Sequence, residues 1–275
     1  MARSSKPSFQ DFEHAGWNNE HTCEKYDQYF GVVTIQSVSA LLDAAGVAEN
    51  SLVLDVCTGA GYAAGLAAER GALATGVDFS AAQIELARKN YRKPTFHKAD
   101  GTDLPFSDES FNCVINSIGI PHFFDPDAAI SEAFRVLKRG GSFAFTVYDI
   151  PERAVGFGAV YKAVQEFGSM DIGLPQGPNF FLFSDPVVSQ KRLTAAGFES
   201  VQITSQQQTW SLASPENAIE AVLHGSVRAA ATLSRQSPEV LSSIRQAISD
   251  SISTYKQGKR YDVPMPVIIA SAMKP

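Results

Sequence analysis

The sequence predicts an α/β fold: a doubly wound, mostly parallel sheet of seven strands with helices on both faces. Two observations carry this. From residue 51 to about 150, short apolar runs alternate with helix-patterned segments at the spacing of βαβ units. The first run feeds a glycine turn and an alanine-rich helix in "LVLDVCTGAGYAAGLAAERG", residues 52–71. There Gly59, Gly61 and Ala64 meet the G-x-G-x-x-G/A spacing of a Rossmann-like turn, in which a helix N-terminus faces a phosphate. A chain of 275 residues, 44% hydrophobic and 19% charged, can bury one core with additions. The expected layout is a single domain over 1–275. Residues 1–50 form an N-terminal helical cap, 51–150 the cofactor-binding core, and 151–183 and 207–262 substrate-pocket or lid insertions, the lid being helical.

Each element has a local reason. "LVLDV" (52–56) precedes a helix to about Arg70, and "ALATGVD" (72–78) precedes a helix over 81–90. "TFHKAD" (95–100) runs into a polar loop, and "FNCVINSIG" (111–119) leads to a helix over about 126–138. In that helix Asp125 can cap, Pro126 suits the first position, and Ile130, Ala133, Phe134 and Leu137 share a face. Arg135, Lys138 and Arg139 then sit at the negative end of its dipole, and Gly140 stops it. "SFAFTVYD" (142–149) closes the block. Residues 151–183, rich in glycine, proline and phenylalanine, follow the C-terminal end of a strand, where such folds place lids and substrate pockets. "SDPVVSQKRLTAAGF" gives a helix ending at Gly197, "SVQITSQ" (200–206) a strand, and "MPVIIASAM" the last strand. Two more helices begin at Ser214-Pro215 and Ser237-Pro238, the second with Leu241, Ile244, Ile248 and Ile252 on one face.

Composition narrows the function. A net charge of −6 gives no electrostatic reason to expect nucleic acid, so a small-molecule substrate is expected, with the chain a monomer or homodimer. Cys23, Cys57 and Cys113 form no C-x-x-C pair, and their odd number argues against a disulfide framework and for a reducing compartment. The first residues have no apolar signal region, and no stretch approaches the roughly 18 apolar residues of a membrane span. The expectation is cytoplasmic, with no membrane partner. Asp103, Asp108 and Glu109 read as a solvated loop, and no metal is expected because no histidine joins them at ligand spacing.

The acids around the glycine turn choose the ligand. Asp78 closes the second strand, where a carboxylate accepts hydrogen bonds from ribose hydroxyls. Asp55, four positions before Gly59, would repel a pyrophosphate and attract a cation or an amino group. The expected ligand has a ribose, a positive charge and no phosphate. The bland alternative is that Asp55 caps backbone amides of its own turn.

"VLDVCTGAG", "GVDFSAAQIELAR", "KADGTDLPFSDESFNCVINSIGIPHFFDP" and "AISEAFRVLKRGGSFAFT" follow one another in order and at fixed spacing. Over about residues 25–150 they resemble the class I S-adenosylmethionine-dependent methyltransferases, and most nearly the ubiquinone/menaquinone-biosynthesis-like branch. The resemblance implies S-adenosyl-L-methionine as cofactor and S-adenosyl-L-homocysteine as product. It implies that Asp55, Gly59 and Gly61 cradle the methionine end and Asp78 binds the ribose hydroxyls. Phe79 would lie against the adenine, with Asp100 and the Gly101 backbone at its amino group. Asn116 would face the methionine moiety, and Tyr26 would cover the cofactor.

The expected reaction is methyl transfer to an O, N or C atom of a small, aromatic or apolar metabolite by in-line displacement. Alignment supplies most of the acceleration, and a base adds to it when the nucleophile carries a proton. His122 in "GIPHFF", at the mouth of the sheet, is the candidate base; its bland reading is a structural histidine. His224, beside an apolar stripe, is the weaker candidate. Phe123, Tyr148, Phe180, Phe181, Phe183 and Trp210 concentrate aromatics near the insertion and suit a flat or apolar acceptor, or else plain core. Two other readings stand beside methyl transfer: an enzyme of this fold using the bound cofactor for cyclisation, elimination or dehalogenation, and a nicotinamide-dependent dehydrogenase.

Overall fold

The computed structural model describes residues 8–275; residues 1–7 of the expected N-terminal cap lie outside the described residues. Helices α1 (Phe9–Trp17), α2 (Glu20–Tyr26) and α3 (Val32–Ala44) come first, with a π-helical turn over Asp27–Gly31 between the last two. The alternating block then runs β1 (Leu52–Val56), α4 (Tyr62–Glu69), β2 (Leu73–Asp78), α5 (Ala81–Asn90), β3 (Thr95–Lys98), β4 (Phe111–Ser117), α6 (Pro126–Val136) and β5 (Leu137–Tyr148). After it come α7 (Val155–Phe167), α8 (Pro186–Ala195), β6 (Glu199–Gln206), β7 (Thr209–Leu212), α9 (Glu216–Gly225), α10 (Arg228–Ser234) and α11 (Pro238–Ser253). Strands β8 (Lys256–Gln257), β9 (Arg260–Pro264) and β10 (Val267–Met273) end the chain.

Seven strands form the main sheet in the order β3-β2-β1-β4-β5-β10-β6. Only β10 runs against its neighbours, β5 and β6, so the sheet is mostly parallel as expected. Strand order reverses between β1 and β4, and a crevice opens there at the carboxyl ends of the strands. One face is covered by α3, α4 and α5, through Val38, Leu41, Ala64, Ala67 and Ile84. The alanines of α4 let it lie close: a β-carbon on Gly65 would stand 2.2 Å from the Tyr91 ring. The other face is covered by α6 and α8, through Ile130, Ala133 and Leu193. A third apolar cluster joins α7, α9 and α11 above the strand ends, with Ile244, Ile248 and Ile252 buried as their spacing predicted.

Three elements depart from expectation. The helix predicted to reach 138 ends at Val136, because buried Leu137 pairs with Phe111 as the first residue of β5. Gly140, at φ 74°, then makes a left-handed bend inside that strand rather than a helix stop, and pairing resumes with Ser142 opposite Cys113. Residues 151–183, part of the expected helical lid or insertion, include the 13-residue helix α7, whose buried Ala159, Val160, Ala163 and Val164 give it a helical stripe. Residues 207–264 hold the helix α10 and a small antiparallel sheet, β7-β9-β8, neither foreseen.

Candidate functional site

The turn after β1 sets the floor of the crevice. Cys57, Gly59 and Gly61 have φ of 58°, 52° and 89°. Glycine takes such values freely; Cys57 takes its own against a steric cost. The turn is held from below and from the side. Asp55, completely buried, accepts from Thr58 Oγ1 at 2.7 Å and from the Ala64 amide in the first turn of α4 at 3.0 Å. Asp78 accepts from the Gly59 amide at 3.0 Å and the Ser80 amide at 2.9 Å. Burial pushes the Asp55 carboxyl up to about 7, against the pull of its two hydrogen bonds, and also raises Asp78. The Cys57 thiol is held well above its ordinary value by burial, then by the Asp78 and Asp55 charges, which does not suit a nucleophile.

Two cavities meet over this floor. The first, about 640 Å³, runs past Thr58, Gly59, Asp78, Phe79 and Gln83. The second, about 830 Å³ and mostly apolar, is walled by Phe30, Tyr148, Phe157, Val160 and Phe180. Trp17, Tyr26, Ile118 and His122 belong to both and form the passage between them. A third hollow, beside the first, is lined by His14, Phe79, Asp100 and Phe123.

The passage is built by a strained turn. Ile118, β-branched and 4% exposed, has φ 62°, a value that persists only where its surroundings fix it. They do so here: its amide donates to Thr146, and Asn116 braces the turn, accepting from the Gly119 and Ile120 amides and donating to the Val56 carbonyl. The N-terminal cap supplies the roof. Trp17 and Asn18 reach the start of α5, where Ser80 Oγ donates to the Trp17 carbonyl at 2.6 Å and the Ala81 amide to Asn18 Oδ1. From α1, Glu13 Oε2 lies 2.9 Å from His122 Nδ1 and accepts from Trp17 Nε1 at 3.0 Å.

Several expected site residues converge on these walls: Gly59, Asp78 and Phe79 in the first cavity, Tyr148 and Phe180 in the second, Tyr26 and His122 at the passage. Asp100 lines the third hollow, with Oδ1 accepting from the Thr102 amide and hydroxyl. Others stand elsewhere. Asp55 and Gly61 lie beneath the turn, so the capping alternative for Asp55 describes its Oδ2; its Oδ1 is buried without a partner. Asn116 does not face the cavity, because its polar atoms are spent on the turn. Gly101 packs under Phe123, which lines the third hollow and not the second cavity. Phe183 packs on Phe145 in the sheet core, Phe181 on Tyr161, and Trp210 is sealed behind Phe30 with its indole donating to the Tyr29 carbonyl. His224 is exposed and pairs with Glu220, since α9 turns the adjacent Ala221 and Val222 inward instead.

Sequence reasoning missed Glu13 and Trp17. The signal was present, since Phe9, Glu13 and Trp17 fall at i, i+4 and i+8 of one helix and place an acid on the apolar stripe.

The walls suit a ribose-bearing polar ligand. Ser117 Oγ and Gln83 Oε1 are buried beside the first cavity with no hydrogen-bond partner among the described residues, and such groups ordinarily find one. Asp78 lies at the end of β2 with its carboxylate at the cavity wall.

Comparison with known proteins agrees with this geometry. Residues 54–145 match the family model described as "Methyltransferase domain". The demethylmenaquinone methyltransferase of Clavibacter sepedonicus is 33% identical over 144 residues, covering 50% of this chain and 56% of that one. Its counterpart from Chlorobaculum parvum is 41% identical over 90 residues, 32% of this chain and 37% of that one. The matched segment thus spans about half the length of these relatives or less. Among solved structures, a Haemonchus contortus phosphoethanolamine N-methyltransferase 2 bound to S-adenosyl-L-methionine superposes with TM-score 0.60 at 19% identity, covering 98% of this chain and 61% of that one. The [4+2]-cyclase SpnF superposes with TM-score 0.57 at 19% identity, covering 98% and 97%. At such identities these two share the fold alone.

Proposed function

We propose, from the premise that this chain carries a class I methyltransferase domain of the ubiquinone/menaquinone type, that it transfers the methyl group of S-adenosyl-L-methionine to a small, flat, largely apolar acceptor. One observation carries the reading: a cavity that carries the Asp78, Ser117 and Gln83 polar groups adjoins a more apolar cavity, and Trp17, Tyr26, Ile118 and His122 line both. The names of the relatives, enzymes of a demethylated menaquinone, support an acceptor of this shape and polarity.

In this reading Asp78 takes the ribose hydroxyls, Phe79 flanks the adenine, and Asp100 lies at the adenine side. Ser117 Oγ and Gln83 Oε1 gain partners. The amides at the start of α4 receive the carboxylate of the methionine end. Asp55 acts from beneath the turn, fixing its shape through Thr58 and the Ala64 amide. The bound cofactor supplies an electrophilic methyl group on a positively charged sulfur. The protein's part is alignment in a site that excludes water, an effect that can contribute about 7–11 kcal/mol to the barrier. Phe157, Phe180 and Tyr148 hold the acceptor's apolar body while the passage sets its approach. The covers over both cavities come from 8–26 and from 151–183 and 207–262, which we take as a cap and pocket-forming insertions on one domain.

Calorimetry with S-adenosylmethionine, S-adenosylhomocysteine and NADH tests the ligand, and binding of NADH alone overturns the reading. Incubation with methyl-labelled cofactor and a panel of aromatic metabolites tests the reaction. Substrate loss without label transfer would favour the other chemistry that the fold hosts, as in the cyclase.

A further inference from the structure

We infer that Arg228, together with the Tyr161 hydroxyl, anchors a carboxylate on the methyl acceptor, so that the substrate is a flat, largely apolar monoanion. The inference rests on the methyl-transfer reading and narrows its substrate class. Arg228 and Tyr161 line the second cavity, and neither lines the first. Among the described residues of that wall Arg228 is the one permanent cation. The one acid there, Glu13, is 3% exposed, and its Oε2 is taken by His122 Nδ1 at 2.9 Å and Trp17 Nε1 at 3.0 Å. Arg228 is held without being neutralised. Its Nη1 donates to the Pro175 carbonyl at 2.7 Å, and its other N–H groups have no acceptor among the described residues. Nε and Nη2 are left as one edge of the planar fork, which matches the two oxygens of a carboxylate. Tyr161 stands beside this charge: burial raises its phenol, and the Arg228 charge lowers it. Its ring packs edge-on against Phe181 at 5.5 Å, and its hydroxyl has no partner among the described residues.

Charge matching selects the kind of anion. A phosphate monoester carries close to two charges at neutral pH and would leave one of them unbalanced against a single guanidinium in an apolar cavity; a carboxylate carries one. The placement also orients the acceptor. With its anion at Arg228, the rest of the molecule extends toward Trp17, Tyr26, Ile118 and His122, which border the cofactor cavity as well. The carboxylate, itself a nucleophile, is thereby kept away from the electrophilic methyl group. The segment that holds Arg228 has anchors of its own. Arg235 Nη1 donates to the Ile172 carbonyl at 2.9 Å, Gln236 Nε2 to the Ser169 carbonyl at 2.8 Å, and a β-carbon on Gly177 would stand 2.2 Å from the Phe9 ring. The segment therefore positions the arginine, and does not depend on it for its own place.

The plainer roles for an exposed arginine are a solvated charge and a staple for residues 168–178, so the test separates charge from contact. Arg228→Gln keeps a donor for the Pro175 carbonyl and removes the charge; Arg228→Lys keeps the charge and loses the fork. The probes are 2-naphthoate, 2-naphthamide and 2-naphthyl phosphate, which share one flat ring system and differ in charge, titrated by calorimetry at neutral pH. The unaltered protein should bind 2-naphthoate at least about tenfold more tightly than the amide and more tightly than the phosphate. Arg228→Gln should weaken the naphthoate at least about tenfold and the amide less than about threefold. Arg228→Lys should retain part of the preference, and Tyr161→Phe should weaken the naphthoate about three- to tenfold. Equal affinity for acid and amide, binding of neither, tighter binding of the phosphate, or a preference that survives Arg228→Gln each overturns the inference; so does equal weakening of acid and amide in Arg228→Gln, the mark of a staple. The titrations are run with and without S-adenosylhomocysteine. Failure of the unaltered protein to bind that nucleoside sinks the methyl-transfer reading beneath the inference, while the comparison of acid with amide is read separately.

Discussion

At the scale of single residues, Asp55 couples the fold to pH. Burial pushes its carboxyl up to about 7 in the folded chain, well above the ordinary carboxylate range, so between about pH 4 and 7 the folded state holds a proton that the unfolded state has released. Stability from this group is therefore full at the acid end of that window, falls as pH rises through it, and levels off above about 7. Asp78, also raised, works in the same direction. Urea midpoints measured from pH 4.5 to 7.5 should fall for the unaltered protein and fall less for Asp55→Asn, the difference being at most a few kcal/mol. Equal slopes would mean that Asp55 is solvated as well as hydrogen-bonded. Asn116 gives a second residue-scale expectation. Because it braces the turn at Ile118, Asn116→Ala should cost about 2–4 kcal/mol in chemical denaturation, where a residue that only touched ligand would leave stability unchanged. The acids at 55 and 78 were legible as partners of the glycine turn from their chain positions, but the sequence left open whether Asp55 met ligand or capped its own turn, and its Oδ2 caps. The division of labour at Asn116 was not, because a strand-end asparagine reads the same whether it bonds ligand or its own loop.

At the scale of elements, the block from β1 to β5 was readable because its forces are local: caps, dipoles and apolar periodicity, as at Asp125 and Pro126 of α6. The cover over the site was not, since α1 acts through partners far along the chain, Ser80 and His122. The small sheet that seals Trp210 escaped for a like reason, its strands β7 and β9 being joined only across three intervening helices. Deleting residues 1–19 should leave the far-ultraviolet signature of the sheet in place while weakening S-adenosylmethionine binding at least about tenfold by calorimetry, as expected when a buried hydrogen-bonded wall is removed. Retention of full affinity would show that α1 covers only the acceptor side.

At the scale of the molecule, function is divided between a sheet that presents fixed polar atoms and segments laid over it from both ends of the chain. The aromatics Phe123, Phe183 and Trp210 show the limit of composition as a guide. They were grouped with the insertion and the strand ends, yet packing sends them to the third hollow, the sheet core and the rear of the second cavity. Phe157 and Val160, which the sequence reading did not single out, line the second cavity because α7 turns them there. Among the described residues no helix is long and apolar enough to cross a membrane.

The roof over the first cavity has a consequence in time. Trp17 borders the first cavity and is tied to the start of α5 by the Ser80 and Ala81 bonds to residues 17 and 18, so this roof is expected to act as a clock that sets how long each spent molecule delays the next turnover. Loosening it with Asn18→Ala, at an exposed position that gives up the bond to Ala81, should speed S-adenosylhomocysteine dissociation several-fold in stopped-flow measurements while leaving its association rate nearly unchanged. If turnover accelerates in step, the pace of this protein is kept by its door and not by its chemistry.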